Sequence, residues 1–521
     1  MTGTNVSFRE KNEKVQTEFK SRADFQTAIS ATSYGKFNLL LLLIFIPAAT
    51  TIQIDSTLIA FIIPTASCDL NLDVTQKGLL NSMSFFGMLS TGFLWGFLLD
   101  TLGRRKILWL GCLAQTLIVW GQGFSTSFSI LSVFKFFGGA VTGGTYVAQA
   151  TYLLELHSTE HRGKIQMIAG MIYAGSNVII PLISSAILPL NIKFDLYFCE
   201  LHAWNILMLM GSVSPMLATI AYYFLPESPK FLMSMGRNDE ALKVLRKIYR
   251  INTGNSGESY PIESLLEEVP EKLKSEDNKS WKEYLKSGWQ QLSPLFGKQY
   301  IGKLLLVSVV QAIFGSGIHI LRAYLPQIFQ ATHEYQIAHN GTTPNLCSIL
   351  DVLRSNSSFH GDDTVCIINV ENSSRVYLNS FIVAVFTMLS FVLAGTLIGF
   401  FKRMTLLTIL GITACISINS LYFSQNTATT LAMSTLYLSS MGIGFEIFTT
   451  IVAVVFPTTL RAMAISVCLF MMRVFTIVGN NVLPVLVEVG CVPPFLSLGC
   501  VILVGLALSC LLPSTEKSDM K

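Results

Sequence analysis

The chain has 521 residues, of which 51% are hydrophobic and only 13% are charged. Together with a mean hydropathy of +0.53, this composition excludes an ordinary soluble globular protein and indicates a membrane protein. The formal net charge of +4 is too small to indicate a nucleic-acid partner. No Gly-Lys-Ser/Thr phosphate loop is present, so we expect no ATP-driven pump, and we predict no enzymatic activity, cofactor or metal site.

The first 36 residues are polar and charged. They lack the short apolar core and the cleavage site of a signal peptide. We therefore expect residues 1–36 to form an uncleaved cytoplasmic tail.

Twelve segments are long and apolar enough to cross a membrane, which takes about 20 mostly apolar residues per helix. Numbered as spans 1 to 12, they lie near residues 38–64, 79–100, 106–124, 128–154, 164–190, 204–224, 302–325, 377–400, 404–422, 429–454, 463–487 and 493–512. The predicted fold class is an all-α membrane protein with twelve transmembrane helices. A polar linker, 225–301, separates two six-helix halves, 37–224 and 302–512, and a cytoplasmic tail, 513–521, follows the last span.

Basic residues occur in every second short loop, after spans 2, 4, 8 and 10. Because short basic loops stay in the cytoplasm, both termini are predicted to be cytoplasmic. The expected location is the plasma membrane or an intracellular vesicle membrane, with the lipid bilayer as the protein's environment.

The linker mixes charges of both signs, as is typical of a solvated region. Within it, residues 239–249 place their apolar side chains on one face, which predicts an amphipathic helix.

The loop 326–376 lies on the outer side by the same charge rule. Its three Asn-x-Ser/Thr sequons predict glycosylation of Asn340, Asn356 and Asn372. It also contains Cys347 and Cys366, which an oxidising compartment would favour as a disulfide. Two free thiols are the alternative.

Two six-span halves around a hinge are typical of secondary transporters, which bind a solute near the bilayer midplane. The most informative segment follows span 2, where Asp100 ends one apolar run and three cations open the next. A carboxylate at this depth is costly without a partner. We expect Asp100 to pair with the basic loop or to accept N–H groups at a helix N-terminus, and so to act as a cytoplasmic gate. A plain interfacial carboxylate in water is the alternative.

A second copy of this segment follows span 8, at residues 395–403. It keeps Lys402 and Arg403 but has Gly399 in place of the acid. The predicted gate is therefore lopsided and depends on the first half.

Three motifs resemble the loop signatures of the major facilitator superfamily, and in particular of its sugar-porter-like branch. They are Gly96-x-x-x-Asp100-x-x-Gly103-Arg104-Arg105, Tyr152-Leu153-Leu154-Glu155 with Arg162-Gly163, and Pro226-Glu227-Ser228-Pro229-Lys230. The second half departs more, because Val454 stands where an acid is usual, although Pro457 and Arg461 remain. The resemblance implies a cytoplasmic gate network of Gly96, Asp100, Gly103, Arg104, Arg105, Glu155, Arg162, Glu227 and Arg461.

Within that superfamily the chain resembles the synaptic vesicle glycoprotein 2 proteins and their insect relatives. The likeness rests on Phe61-Ile62-Ile63-Pro64 with Cys68-Asp69-Leu70, on Lys77-Gly78-Leu79-Leu80, and on the segment from Leu225 to Leu232. The loop after span 7 is shorter here than in the vertebrate vesicle proteins, so their luminal binding roles do not carry over.

Asp55 lies inside span 1, near mid-depth in an apolar run. An ionisable residue inside a membrane span is by default a candidate for substrate binding or proton transfer. A structural acid bonded to a neighbouring Ser or Asn is the alternative. The vesicle proteins have two acids in this stretch, and Ile52 replaces the other one here.

Further polar residues inside spans are candidates for binding substrate or coupling protons: Gln53, Asn177, Gln311, Glu446 and Arg473. Their alternative roles are to hold helices together and, for Arg473, to reach the cytoplasmic interface. Lys135 and Arg322 are expected to extend toward the outer interface instead.

The sequence thus predicts a monomeric secondary transporter that moves a small polar organic solute, a sugar or an organic ion, by alternating access. Proton coupling through Asp55 is part of this hypothesis. The alternative is a membrane protein with a regulatory or partner-binding role and little transport, which the degenerate second half favours.

Overall fold

The structure is a computed structural model, and it describes residues 22–190, 192–196, 199–266, 293–338, 346–347, 374–397, 402–456 and 458–512. Ahead of the first span lie a short strand, β1 (Arg22–Ala23), and a short helix, α1 (Phe25–Ser30). Asp24 caps α1 by accepting the backbone N–H of Thr27 at 3.2 Å.

The first half begins with five long helices. They are α2 (Lys36–Asp69), α3 (Val74–Leu102), α4 (Arg104–Gly123), α5 (Phe128–Glu155) and α6 (Thr159–Ile187). An antiparallel hairpin of β2 (Lys193–Leu196) and β3 (Cys199–His202) follows, with Lys193 opposite His202.

Span 6 is divided into α7 (Ala203–Gly211) and α8 (Val213–Phe224). The break coincides with Pro215 in the first turn of α8, which has no N–H to continue the helical ladder. The hydroxyl of Ser212, at the break, accepts a hydrogen bond from the indole of Trp120 at 2.9 Å.

The linker contains α9 (Pro229–Ser234), α10 (Asn238–Thr253) and β4 (Ser264–Leu265). The amphipathic helix predicted at 239–249 is therefore confirmed as part of α10. The second half comprises α11 (Ile301–Ala338), α12 (Ser374–Leu397), α13 (Arg403–Tyr422), α14 (Thr427–Val455), α15 (Thr458–Val489) and α16 (Val492–Ser509).

These helices occupy the positions of the twelve predicted spans. Ten helices of the described chain are long and apolar enough to cross a membrane, or eleven if the bent helix α3 is taken as one span. The remaining helix, α4, begins with three consecutive cations, so its apolar stretch is shorter. We call the end of the bundle with the linker the linker end, and the end with the β2–β3 hairpin the far end.

Small residues let α3 and α5 pack backbone to backbone. Gly139 faces the carbonyl of Ser84, and Gly87 faces the carbonyl of Phe136, so a Cβ at either glycine would collide with the opposite helix. The indole of Trp95 donates to the carbonyl of Ala140 at 2.6 Å. Close approach through small residues is how helices associate in lipid.

Each half has its own apolar core. In the second half, buried side chains such as Phe314, Phe448 and Phe456 form one large cluster. In the first half, one cluster around Tyr152 and Tyr222 lies toward the linker end, and another around Ile62 and Trp204 lies toward the far end. Apolar contacts also join the halves: Tyr377 of α12 belongs to the far-end cluster, and Phe85 and Met88 of α3 pack with Ile477 of α15.

A small subdomain covers the linker end. Strand β1 pairs in parallel with β4, with Arg22 opposite Ser264 and Ala23 opposite Leu265. Phe25 of α1 and Leu245 of α10 belong to one buried apolar cluster with residues of α9. The segment from residue 22 to 30, predicted as part of a plain tail, is thus folded onto the linker.

Candidate functional site

A cavity of about 220 Å³ lies between the two halves. Residues of α2, α3, α5 and α6 line it from the first half, and residues of α11, α12, α14 and α15 line it from the second. A cavity at this interface agrees with the midplane site expected for two-half transporters.

The halves touch at the far end of this cavity. Asn481 donates to the hydroxyl of Ser82 at 2.9 Å, and Asn480 donates to the carbonyl of Asn81 at 3.4 Å. A methyl group added at Gly78 would lie 2.8 Å from the carbonyl oxygen of Asn480. The first turns of α3 are thus packed directly against α15.

Toward the linker end the halves separate. On α6, a methyl group at Gly175 would lie 3.3 Å from the sulfur of Met388, whereas one at Gly170 would meet no described atom within 4 Å. On α3, one at Gly92 would lie 3.8 Å from Arg473 Nη1, whereas one at Gly96 would again meet no described atom within 4 Å. The cavity is therefore closed at the far end and widens toward the linker end.

Four of the predicted candidates line the cavity: Gln53, Asn177, Glu446 and Arg473. The amides of Gln53 and Asn177 both donate to the carbonyl of Tyr173, at 3.2 and 2.9 Å. Arg473 Nη1 donates to the carbonyl of Met88 at 3.1 Å, across the interface between the halves. Glu446 and Arg473 thus line one cavity, whereas their roles stay a prediction.

Gln311 lies elsewhere. Its side chain is buried between α11 and α14 and donates to the hydroxyl of Thr449 at 2.9 Å. Among the two roles considered for Gln311, holding helices together fits this position.

Asp55 is not on the cavity surface but inside the first half. Its side chain is fully buried, with Oδ1 3.9 Å from Lys135 Nζ and 3.1 Å from the Gln115 amide that donates to it. Lys135 also donates to the backbone carbonyl of Asp55, and a methyl group at Gly138 would lie only 2.6 Å from Asp55 Oδ1. The small residue on α5 lets the ion pair form.

The expectation that Lys135 extends to the outer interface was wrong. Lys135 is 1% exposed and points inward to Asp55. Lys135 points inward because a carboxylate buried in a helical bundle needs a cation, and span 4 supplies this cation at the depth of Asp55. Arg322 was also expected at the outer interface, but it lines the cavity together with His319, one helical turn away.

His319 was not among the predicted site residues, although the sequence contains a signal that indicates it. Residues i and i+3 share a helix face, so His319 and Arg322 mark one polar stripe on α11. The ring of His319 lies edge-on to Phe85 of the first half, with centroids 5.1 Å apart.

The predicted gate residues of the first half meet at the linker end. Arg104 is 3.3 Å from the carboxylate of Glu155 and 3.5 Å from that of Asp100. Glu155 also accepts the hydroxyl of Ser228 at 2.6 Å. Asp100 itself is 78% exposed, and its pairing with the basic loop is the first of the two arrangements considered for it.

Glu227, rather than Asp100, occupies the helix N-terminus. One oxygen, Oε1, accepts the backbone N–H groups of Arg104 and Arg105, each at 3.0 Å. Gly103 precedes them with φ +89°, and a Cβ there would lie 2.6 Å from Glu227 Oε2. The position therefore requires glycine both for its backbone angle and for space.

The remaining gate candidates are less connected. Arg162 Nε donates to the carbonyls of Leu154 and His157, at 3.0 and 3.2 Å. Arg461 is exposed, and among the described residues it makes no ion pair. Gly399 and its neighbours 398–401 lie outside the described residues.

The predicted disulfide between Cys347 and Cys366 is corrected by the structure. Cys347 is bonded to Cys491, at the start of α16, with a Cα–Cα distance of 5.2 Å. Sequence proximity favoured a partner in the same loop, but the fold places Cys347 beside Cys491, which immediately precedes α16. Cys366 and the three sequons at Asn340, Asn356 and Asn372 lie outside the described residues.

The sequence also matches known families and proteins. The model of the Major Facilitator Superfamily matches residues 45–356, more than half of the chain. Synaptic vesicle glycoprotein 2B of Rattus norvegicus is 24% identical over 250 residues, which cover 47% of this chain and 36% of that protein. Synaptic vesicle glycoprotein 2A of the same species is 25% identical over 235 residues, which cover 45% and 32%. The chain thus spans about a third of the length of these curated relatives.

Solved structures support the fold. The xylose transporter XylE from E. coli in a partially occluded inward-open conformation aligns with a TM-score of 0.65 and 14% identity, covering 92% of this chain and all of that one. Its inward-open conformation aligns with a TM-score of 0.66 and 15% identity, covering 92% and 98%. By its family match and by this fold, the chain belongs to the Major Facilitator Superfamily and is a multi-span membrane protein with the architecture of its transporters.

Proposed function

We propose that this protein is a secondary transporter that moves a small polar organic solute by alternating access. The observation that carries the proposal is the cavity between the halves, lined from both sides, closed at one end and widening at the other. A site held between two separately packed halves becomes accessible from either side when one half rocks against the other.

The contacts that change in such a cycle are those between the halves. At the far end, the pairs Asn481–Ser82 and Asn480–Asn81 would break when the protein opens there. The linker-end cluster of Arg104, Glu155 and Glu227 joins the first half to the start of the linker, so it would move with the first half as one body. With both termini cytoplasmic, as the basic loops predict, the cavity in this conformation faces the cytoplasm.

We further propose that Asp55 couples transport to protons. Its carboxylate is held by Lys135 and Gln115 in a fully buried site among α2, α4 and α5. Proton uptake by Asp55 would remove the charge that holds Lys135 in place. The released ammonium of Lys135 would then favour a different position of α5 relative to α2. Protonation would in this way shift the conformational equilibrium.

A regulatory role with little transport is the second candidate, and one observation favours it. The matched relatives include synaptic vesicle glycoproteins 2A and 2B, whose names describe vesicle glycoproteins and not transporters. In that case the cavity would bind a ligand without moving it. The cellular location would be the plasma membrane or a vesicle membrane, as for the first proposal.

Reconstitution tests both. The purified full chain in proteoliposomes should take up at least one of a panel of sugars and organic ions with saturable kinetics, and a pH gradient should change the rate. Asp55→Asn should abolish the response to the gradient, because no proton then binds at this position. Asp239→Asn, the same change on the exposed face of α10, should leave it intact. Failure to take up any solute, with a partner protein recovered from detergent extracts, would favour the regulatory role.

A further inference from the structure

The cavity has an unbalanced set of charges. Its ionisable lining consists of Arg322, Glu446 and Arg473, with His319 and two tyrosines beside them. Two guanidinium groups thus face one carboxylate. Charged side chains inside a membrane bundle are rare and mark the path of a substrate or ion.

These charges are not neutralised by each other. Within the described chain, neither arginine forms an ion pair with Glu446. Arg473 uses one N–H on the carbonyl of Met88, and Arg322 has no hydrogen-bond partner among the described side chains and backbone. A guanidinium has five donors in a planar fork, so most of the donors in this cavity are unused.

Several uncharged polar groups of the lining, in contrast, use a donor within the protein. The hydroxyls of Ser56, Ser380 and Thr387 each donate to a carbonyl one turn earlier in their own helix. The amides of Gln53 and Asn177 both donate to Tyr173, and the oxygen of the Asn177 amide has no partner in the described chain. Hydroxyl and amide oxygens still accept, so the donors that remain for a ligand are mainly those of the two guanidinium groups.

The rest of the lining is apolar and partly aromatic, with Phe61, Phe85, Phe391 and Phe445 among its members. The volume of about 220 Å³ is below the roughly 300–1,000 Å³ of pockets for drug-sized ligands. The occupant is therefore small, and it presents an apolar body beside a charged group.

We propose that the cavity takes a small organic anion with one carboxylate, which Arg473 and Arg322 bind; this substrate class rests on the proposed transport function. A carboxylate matches the guanidinium fork through paired hydrogen bonds, which are roughly twice as strong as neutral ones. Glu446 repels a second negative charge, so the site selects monoanions over dianions. The aromatic side chains contact the apolar body.

Matched anion and amide pairs test the assignment, because each pair differs in charge but hardly in shape. The probes are benzoate with benzamide, nicotinate with nicotinamide, and lactate with lactamide, and D-glucose serves as the sugar. Thermal protection of the purified full chain and tracer uptake into proteoliposomes are both measured. At least one anion should protect the protein and accumulate, while its amide and glucose should not.

Substitutions then test whether Arg473 and Arg322 bind the anion. Arg473→Gln and Arg322→Gln should each weaken binding of that anion by about tenfold or more, as expected for a lost charge-assisted hydrogen bond. Arg473→Lys keeps the charge but loses the fork and should fall in between, which separates binding from misfolding. Arg250→Gln, the same change on the exposed surface of α10, is the matched control and should have no effect.

Two other outcomes are informative. Saturable uptake of glucose or an amide that both Arg→Gln variants leave unchanged would overturn the anion assignment and keep the transporter. No saturable uptake and no protection by any probe with the wild-type protein would overturn the anion assignment together with the proposed transport.

Discussion

The carboxylate of Glu227 accepts the backbone N–H of Arg104 at 3.0 Å, although the two residues are 123 positions apart in the chain. This bond ties the start of α4 to the segment that follows α8. A carboxylate at a helix N-terminus satisfies free N–H groups and interacts favourably with the helix dipole. Asp100, in contrast, is exposed, and its ion pair within the described chain is with Arg104 one turn away.

Glu227→Gln should therefore destabilise the protein more than Asp100→Asn. The Glu227 contact is comparable to a helix cap, worth about 0.5–2 kcal/mol, whereas an exposed ion pair contributes about 0–1 kcal/mol. Thermal unfolding of the purified variants in one detergent measures the difference. A larger loss of stability for Asp100→Asn than for Glu227→Gln would show that Asp100 contributes more to the gate network than Glu227 does.

The Asp55–Lys135 pair should behave as one unit. Asp55→Asn or Lys135→Met alone leaves one buried charge without its partner, a defect of about 3–5 kcal/mol in comparable cases. The double variant removes both charges and should be clearly more stable than the sum of the single losses implies. A double-mutant cycle on unfolding midpoints makes this comparison. Strictly additive losses would mean that the two side chains do not interact.

The bond between Cys347 and Cys491 should be found by peptide mapping without reduction. It joins the loop after α11 to the start of α16 and closes 144 positions of sequence, so Cys491→Ser should lower the unfolding temperature. Cys500→Ser, on the same helix, is the matched control because that thiol is free and exposed. A peptide that links Cys347 to Cys366 instead would contradict the structure.

His157, in the turn between α5 and α6, should make stability depend on pH. Burial lowers the pKa of its imidazole below the ordinary 6.5, although the Leu153 carbonyl 2.7 Å from Nδ1 opposes the shift. The unfolded chain therefore takes up this proton at a higher pH than the folded protein does. The contribution of neutral His157 is complete above pH 6.5 and is lost as the pH falls below it.

Unfolding temperatures between pH 7.5 and 5 measure this effect. His157→Gln should flatten the acid limb of the profile, and His161→Gln, the same change one turn later, should leave it in place. Identical profiles for wild type and His157→Gln would rule out this residue as the source.

The fold was predictable because a membrane imposes a simple pattern. Apolar length and the basic loops identified the spans, and the motifs after spans 2, 4 and 6 identified the family. The break in span 6 was not predicted, because apolar length alone does not show how Pro215 interrupts the helical hydrogen bonds. In lipid, a proline is tolerated and its effect depends on neighbours such as Trp120.

The site was only partly predictable because a single sequence does not fix the rotation of a helix. Asp55 was recognised as a buried acid, but its cation Lys135 was assigned to the interface, since the sequence does not show that both side chains point inward at the same depth. Likewise Arg322 was placed at the outer interface although it faces the cavity. The depth of a side chain in the membrane follows from its position in a span. The direction in which it points follows from how the helices pack.

The parallel pairing of β1 with β4 has a consequence for how the protein is made. Residues 22 and 23 leave the ribosome early, but their partners 264 and 265 follow only after six spans. At roughly 5–20 residues per second, the wait is on the order of 10–50 seconds. During this time Phe25 and Ile29 have no apolar surface to cover them. The nascent segment is therefore a natural client for chaperones, and closure of the subdomain marks completion of the first half.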